Sequence, residues 1–240
     1  MSAFFTEADY EKSVIELFQN LGYSYIYAPE LERDYSCPVL ESTLQDCLVK
    51  INKNLPYAAI MEAIGKLRDF DAGSLLQRNE TFMNYLQNGI PVKYVEAGEE
   101  RTNIVYLIDY ANVDHNDFCV LNQYTYIENG NNRRPDVIAF INGLPLVVIE
   151  LKSPSKDEVG AENAYHQIRN YIHDIPSLFI YNAFCVISDL SVTKAGTITS
   201  GLDRFMEWKS KDGSYENNQF AQFETFYEGM FTKEHFLDIL

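Results

Sequence analysis

Asp136, Glu150 and Lys152 flank two apolar runs, Val137–Ile141 and Leu146–Ile149, and two acids with an ammonium are groups able to activate water at a phosphate. Between the runs lies Asn142-Gly143. Both residues accept positive φ, so the pair predicts a β-hairpin whose turn matches the twist of its strands. Loop length then decides where the charges meet. A two-residue loop pairs Ile141 with Leu144, sets Asp136 across from Ile149 and turns Glu150 to the other face. A three-residue loop, Asn142 to Leu144 with Gly143 left-handed, pairs Ile141 with Pro145 and sets Asp136 across from Glu150. The second register is expected, because side chains alternate with a period of two and a slip of one residue moves the set to the other face. Lys152 then shares the face of Glu150. Pro145 has no N–H to donate and belongs at the strand's start or beside a bulge.

Cross-strand Cβ atoms lie roughly 4.5–5.5 Å apart, so the two carboxylates repel unless a proton or a cation sits between them. A hard divalent ion that takes carboxylate and carbonyl oxygens and keeps several waters suits such a pair, which is magnesium chemistry. The Lys152 ammonium would orient a water or stabilise charge on a phosphoryl oxygen. An acid at a strand end is more commonly a solvated edge group, so the flanking residues decide between the two readings.

Pro135-Asp136 followed by Glu150-Leu151-Lys152 resembles the P-D…(D/E)-x-K signature of the restriction-endonuclease-like nuclease superfamily. The wider run Arg133-Arg134-Pro135-Asp136, Asn142-Gly143-Leu144-Pro145-Leu146 and Ile149-Glu150-Leu151-Lys152-Ser153-Pro154 is similar to the amino-terminal nuclease domain of type I restriction enzyme R subunits. Gln167-Ile168-Arg169-Asn170-Tyr171 fits the Q-x-x-x-Y element that follows the core in that family. The resemblance implies an α/β fold, a restriction-endonuclease-like core with a mixed central sheet flanked by helices and carrying a helical insertion. It implies an endonuclease that uses Mg²⁺, with Mn²⁺ substituting, to cut double-stranded DNA. Asp136, Glu150 and the Leu151 carbonyl would hold the metal and Lys152 would complete the catalytic set. Glu11 on the first helix would also reach the metal; a carboxylate favourable to the helix dipole is the alternative. Gln167 and Tyr171, four apart and so on one helix face, would contact DNA, as would Arg133 and Arg134; a buried Tyr beside an exposed Gln is the alternative. In the intact protein, ATP would drive translocation through motor domains outside this chain, in a complex with modification and specificity subunits.

The chain has 240 residues, 46% hydrophobic and 14% aromatic, enough for one sizeable core and unlike a disordered segment. Its 35 acidic against 19 basic side chains give a net charge of −16, the reverse of an independent DNA-binding domain. Arg133, Arg134, Lys152, Lys156 and Arg169 concentrate positive charge near the proposed site, and a bound cation would add to it. Cys37, Cys47, Cys119 and Cys185 lack C-x-x-C spacing, so reduced buried thiols are expected rather than a zinc site. No basic leader and no apolar run near 18 residues is present, so the expectation is a cytoplasmic protein without a membrane partner. No G-x-x-x-x-G-K-[ST] motif occurs, and ATP hydrolysis is not expected of this chain alone.

Along the chain, Tyr10, Val14, Leu17, Phe18 and Leu21 recur at helical spacing after an N-cap at Thr6, and Gly22 ends that helix. Tyr23 to Tyr27 predicts a short strand. Thr43–Asn52, Pro56–Phe70 and Ser74–Asn88 predict three amphipathic helices, an insertion over about 40–88. Val92–Val95, Ile104–Tyr110 and Phe118–Tyr124 predict strands that join the hairpin in one sheet, with Asp109, Asn112, His115 and Asn122 as turn and sheet-end groups. A helix over about Val159–Ile175, a buried strand through Leu178–Tyr181 and Phe184–Asp189, a turn-rich strand over Ser191–Thr199, and helical starts at Arg204 and Thr232 complete the reading. Residues 1–200 are read as the nuclease domain and 201–240 as the start of a connection to the motor. Two other functions are weighed: a non-catalytic module docking the motor on the methyltransferase core, and a stand-alone repair nuclease.

Overall fold

Strands apolar on both faces must be covered on both sides, and the helices of this chain are distributed accordingly. The computed structural model describes residues 6–152, 160–189, 191–214 and 222–240. The expected stop at Ser153-Pro154 and the cation Lys156 lie outside the described residues. The order is α1 (Glu7–Asn20), β1 (Ser24–Tyr27), α2 (Glu41–Ile51), α3 (Tyr57–Arg68), α4 (Leu75–Asn88), β2 (Ile90–Glu96), β3 (Glu99–Val105), β4 (Phe118–Asn122), β5 (Tyr126–Glu128), β6 (Asn131–Arg133), β7 (Val137–Ile141) and β8 (Leu144–Leu151). Then follow α5 (Gly160–Asp174), α6 (Pro176–Phe179), β9 (Phe184–Ser188), β10 (Thr193–Gly196), α7 (Gln222–Phe231) and α8 (Lys233–Ile239).

Six strands form the central mixed sheet in the order β1-β4-β7-β8-β9-β10. β1 runs parallel to β4 and β8 parallel to β9, the latter pair joined through α5, while β4, β7 and β8 alternate in direction. Val137, Ala139, Val147 and Ile149 face the core shared with α1, α2, α3, α7 and α8. Ile138, Phe140 and Val148 face α5 and α6. The hairpin is therefore the middle of the sheet, sealed on both sides.

Local chemistry sets the element boundaries. Thr6 caps α1: its hydroxyl accepts from the Asp9 amide at 3.2 Å and the Asp9 carboxylate accepts from the Thr6 amide at 2.9 Å, a reciprocal pair that saturates two of the helix's free donors. Ser74 and Gln77 do the same for α4. All three insertion helices form as the amphipathic spacing predicts.

Several expectations are corrected. β2 and β3 do not join the central sheet; they pair with each other as a separate two-stranded ribbon around Ala97-Gly98. Residues 106–110 leave strand geometry because the chain turns there, with the Asp109 carboxylate accepting from the amides of Ala111 and Asn112. Leu178 and Phe179 lie in the short helix α6, started by Pro176 in the first turn where its missing N–H costs nothing. Met206 is extended rather than helical, exchanging backbone hydrogen bonds with Ala195 at 2.9 Å. Apart from these corrections, Phe226, Tyr227, Phe231 and Phe236, within the 201–240 segment, pack into the same core as Phe18 of α1.

Candidate active site

The turn of the β7–β8 hairpin is the two-residue form, with Ile141 opposite Leu144 and both Asn142 (φ +53°) and Gly143 (φ +79°) left-handed. The three-residue loop is thus corrected. The register at the acids is nevertheless the expected one, because pairing passes from Phe140–Pro145 to Ala139–Val147 and leaves Leu146 as an extra residue. The bulge sits beside Pro145, which cannot donate to the ladder. Val137 then pairs with Ile149, and the next step brings Asp136 across from Glu150.

Asp136 accepts from the Leu151 amide at 2.8 Å, a bond from one side of the hairpin to the other. Lys152 donates to Glu150 Oε1 at 2.6 Å. Glu150 is 1% exposed, and its second oxygen, Oε2, is buried without a hydrogen-bond partner. The Tyr171 phenol stands beside this carboxylate and favours its charged form, and its O–H also lies 3.4 Å from the Arg134 carbonyl. A buried carboxylate oxygen lacking a donor is costly, and it is an open coordination position of the kind a hard cation fills.

Electrostatics report the same strain. Burial, and then the neighbouring Asp136, push Glu150 up to about 8. Burial also raises Asp136 to about 6 against the pull of the Leu151 amide and Lys152, with Glu7 and Glu11 adding to the rise. Burial opposes the Lys152 ammonium, but Glu150, Asp136 and Glu7 together outweigh it and hold its pKa above the usual range. Both acids bind protons more tightly folded than unfolded. Their stabilising contribution is therefore complete below the unfolded carboxylate range and is lost as pH rises through about 6 and then about 8. Without divalent ions, stability is expected to fall by about 5 kcal/mol between pH 5 and 8.5. Glu150→Gln should flatten that slope, as urea titrations at the two pH values would show; an equal slope in the variant would refute the assignment.

The other candidates divide. Gln167 and Tyr171 lie together on the α5 face that meets Glu150, and burial with the two acids holds the Tyr171 phenol well above its usual pKa. Arg134 is exposed, with its side chain in no ion pair or hydrogen bond among the described residues. Arg133 is instead bound to Asp174 at the end of α5, its Nε donating at 2.7 Å, and does not turn toward the acids. Arg169 donates to the Ile198 carbonyl at 2.7 Å. Glu11 approaches from α1, but both its oxygens are taken, by Asn122 Nδ2 at 2.7 Å and Gln123 Nε2 at 2.6 Å. Among the described residues no three His, Cys, Asp or Glu side chains gather into a metal cage. Glu11 thus stands near enough for its charge to raise the proton affinity of Asp136.

A family model described as "Type I restriction enzyme R protein N terminus" matches residues 4–204. The chain belongs to this family. It is 32% identical over 249 aligned positions to the type I restriction enzyme HindI endonuclease subunit of Haemophilus influenzae, covering 98% of this chain and 23% of that protein. The putative MjaIXP endonuclease subunit of Methanocaldococcus jannaschii is 31% identical over 256 positions, with 96% and 24% covered. The EcoprrI endonuclease subunit of Escherichia coli is 27% identical over 257, with 98% and 72% covered. The chain spans about a quarter of the length of the first two relatives.

Within this R-protein amino-terminal domain, sequence reasoning missed three contributors at the site. Glu7, one turn before Glu11, acts electrostatically on both Asp136 and Lys152. Asn122 and Gln123 grip Glu11, and only their place at the end of a strand signals them. Among the described residues no helix is long and apolar enough to cross a membrane.

Proposed function

We propose that this chain is the nuclease domain of a type I restriction endonuclease subunit and hydrolyses DNA phosphodiester bonds with Mg²⁺, for which Mn²⁺ substitutes. The observation that supports it is the buried Glu150 Oε2 without a donor, on a carboxylate set across from Asp136 and beside Lys152. Asp136, Glu150 and the Leu151 carbonyl would hold the ion, which supplies a Lewis acid and an activated water when bound. Lys152 favours the ionised form of Glu150 against its burial and offers its ammonium to charge growing on a phosphoryl oxygen. Tyr171 and Gln167 brace the Glu150 side of the site, and exposed Arg134 meets the DNA backbone. In the longer protein, ATP-driven translocation by motor domains would deliver DNA, and modification and specificity subunits would choose where the complex assembles.

The net charge of −16 favours a second reading, a docking module that keeps these residues only as structure. Calorimetry with Mn²⁺ separates the two. A nuclease site binds the ion and releases about one proton per ion near pH 7, because the cation replaces the proton that the raised carboxylates carry. Its affinity rises with pH up to about 8, where Glu150 loses its proton. No Mn²⁺ binding at pH 8 would leave the docking reading.

A further inference from the structure

Resting on the metal-dependent reading above, we infer that Asn122 and Gln123 are positioning residues whose two side-chain amides fix the Glu11 carboxylate beside Asp136 without cancelling its negative charge. The geometry is a two-handed grip. Asn122 Nδ2 donates to one Glu11 oxygen at 2.7 Å and Gln123 Nε2 to the other at 2.6 Å. Tyr25 donates its phenol to Asn122 Oδ1 at 3.0 Å, which orients the amide with its NH₂ toward Glu11. The same dipeptide reaches the site's first acid through its backbone, since the Gln123 amide donates to the Asp136 carbonyl at 2.9 Å.

Two features separate this arrangement from ordinary packing. Gln123 adopts φ +53°, a conformation that costs a residue with a Cβ, whereas glycine would make the same turn without strain. The side chain therefore has a reason to be there that the turn does not supply, and among the described residues it hydrogen-bonds Glu11. The second feature is the choice of donor. Lysine or arginine would hold a carboxylate as firmly but neutralise it, while an amide carries no net charge. Held by amides, Glu11 leaves its full charge to act on Asp136, and a divalent cation is the species whose binding that charge favours. Partners of this kind around a metal site typically affect affinity by 10–100-fold.

The test measures Mn²⁺ affinity by calorimetry and thermal stability for the 240-residue chain and three variants. Gln123→Gly removes the amide and the strain together, so it should melt at or above the wild-type temperature and bind Mn²⁺ about tenfold more weakly. Gln123→Lys keeps a donor within reach of Glu11 but cancels its charge, and should bind at least as weakly; it decides the matter if the glycine variant melts early. Asp136→Asn reports on the underlying site. Wild-type affinity in both Gln123 variants, with binding lost in Asp136→Asn, would overturn the inference alone. Wild-type affinity in Gln123→Lys would overturn it too, since charge would then not be what the grip preserves. A wild-type chain that binds no Mn²⁺ would overturn the nuclease reading, and this inference with it.

Discussion

On the proposed nuclease reading, Lys152→Ala in the full-length protein is expected to lower DNA cleavage about a thousandfold or more while ATP consumption continues. Lys152 does two things that alanine cannot. Its ammonium is the donor to Glu150 Oε1, so the variant leaves a buried carboxylate without its cationic partner. Such a group takes up a proton instead of a cation. The variant also loses the positive charge available to a phosphoryl oxygen, and removing a preorganised stabiliser of that kind costs about 10²–10³ in rate, with misplaced proton transfer adding to it. Asp136→Ala is expected to be as inactive, since it deletes the acid across the hairpin and frees the Leu151 amide. Nicking and linearisation of supercoiled plasmid by the assembled complex, alongside ATP turnover, would check both. Cleavage at the wild-type rate by either variant would refute the assigned roles.

Asn142→Ala should cost about 3–5 kcal/mol of stability, far more than a surface turn residue ordinarily does. The Asn142 side chain is fully buried and reaches three partners: its Oδ1 accepts from the Asp117 amide at 2.7 Å, and its Nδ2 donates to the Leu107 carbonyl and to Asn116 Oδ1, both at 2.9 Å. Alanine abandons all three inside the protein and also sits poorly at φ +53°. Asn142→Gly separates the two causes, because it abandons the same hydrogen bonds without the backbone penalty and should be the milder change. Equilibrium urea unfolding of both variants would give the difference. A loss below about 1 kcal/mol in Asn142→Ala would mean that the turn is not the anchor described.

Patterns with a short repeat were readable in the sequence, and partners distant along the chain were not. Alternation placed Asp136 opposite Glu150, helical spacing placed α1 and the insertion helices, and the four-residue interval placed Gln167 beside Tyr171. The loop length was misread because a two-residue turn with a bulge gives the same register as a three-residue loop. Arg133 reads as a positive charge near Asp136 because the two are close in sequence, and its carboxylate partner, 41 residues further on, carries no such signal. Asn122 was taken for a sheet-end group, and Glu11, which it holds, is 111 residues away. The outer ribbon of β2 and β3 was assigned to the main sheet because a strand's pattern does not specify which neighbour it pairs with.

The extra residue at Leu146 has an evolutionary corollary. It is accommodated between the turn and the acids, so removing it would leave Ala139 opposite Val147 and every pairing beyond unchanged. The interval between the two acids is therefore free to shrink from fourteen residues to thirteen with no movement at the chemistry. A homologue with the shorter interval would pass unrecognised by any search that fixes the gap, though its carboxylates would meet in the same place.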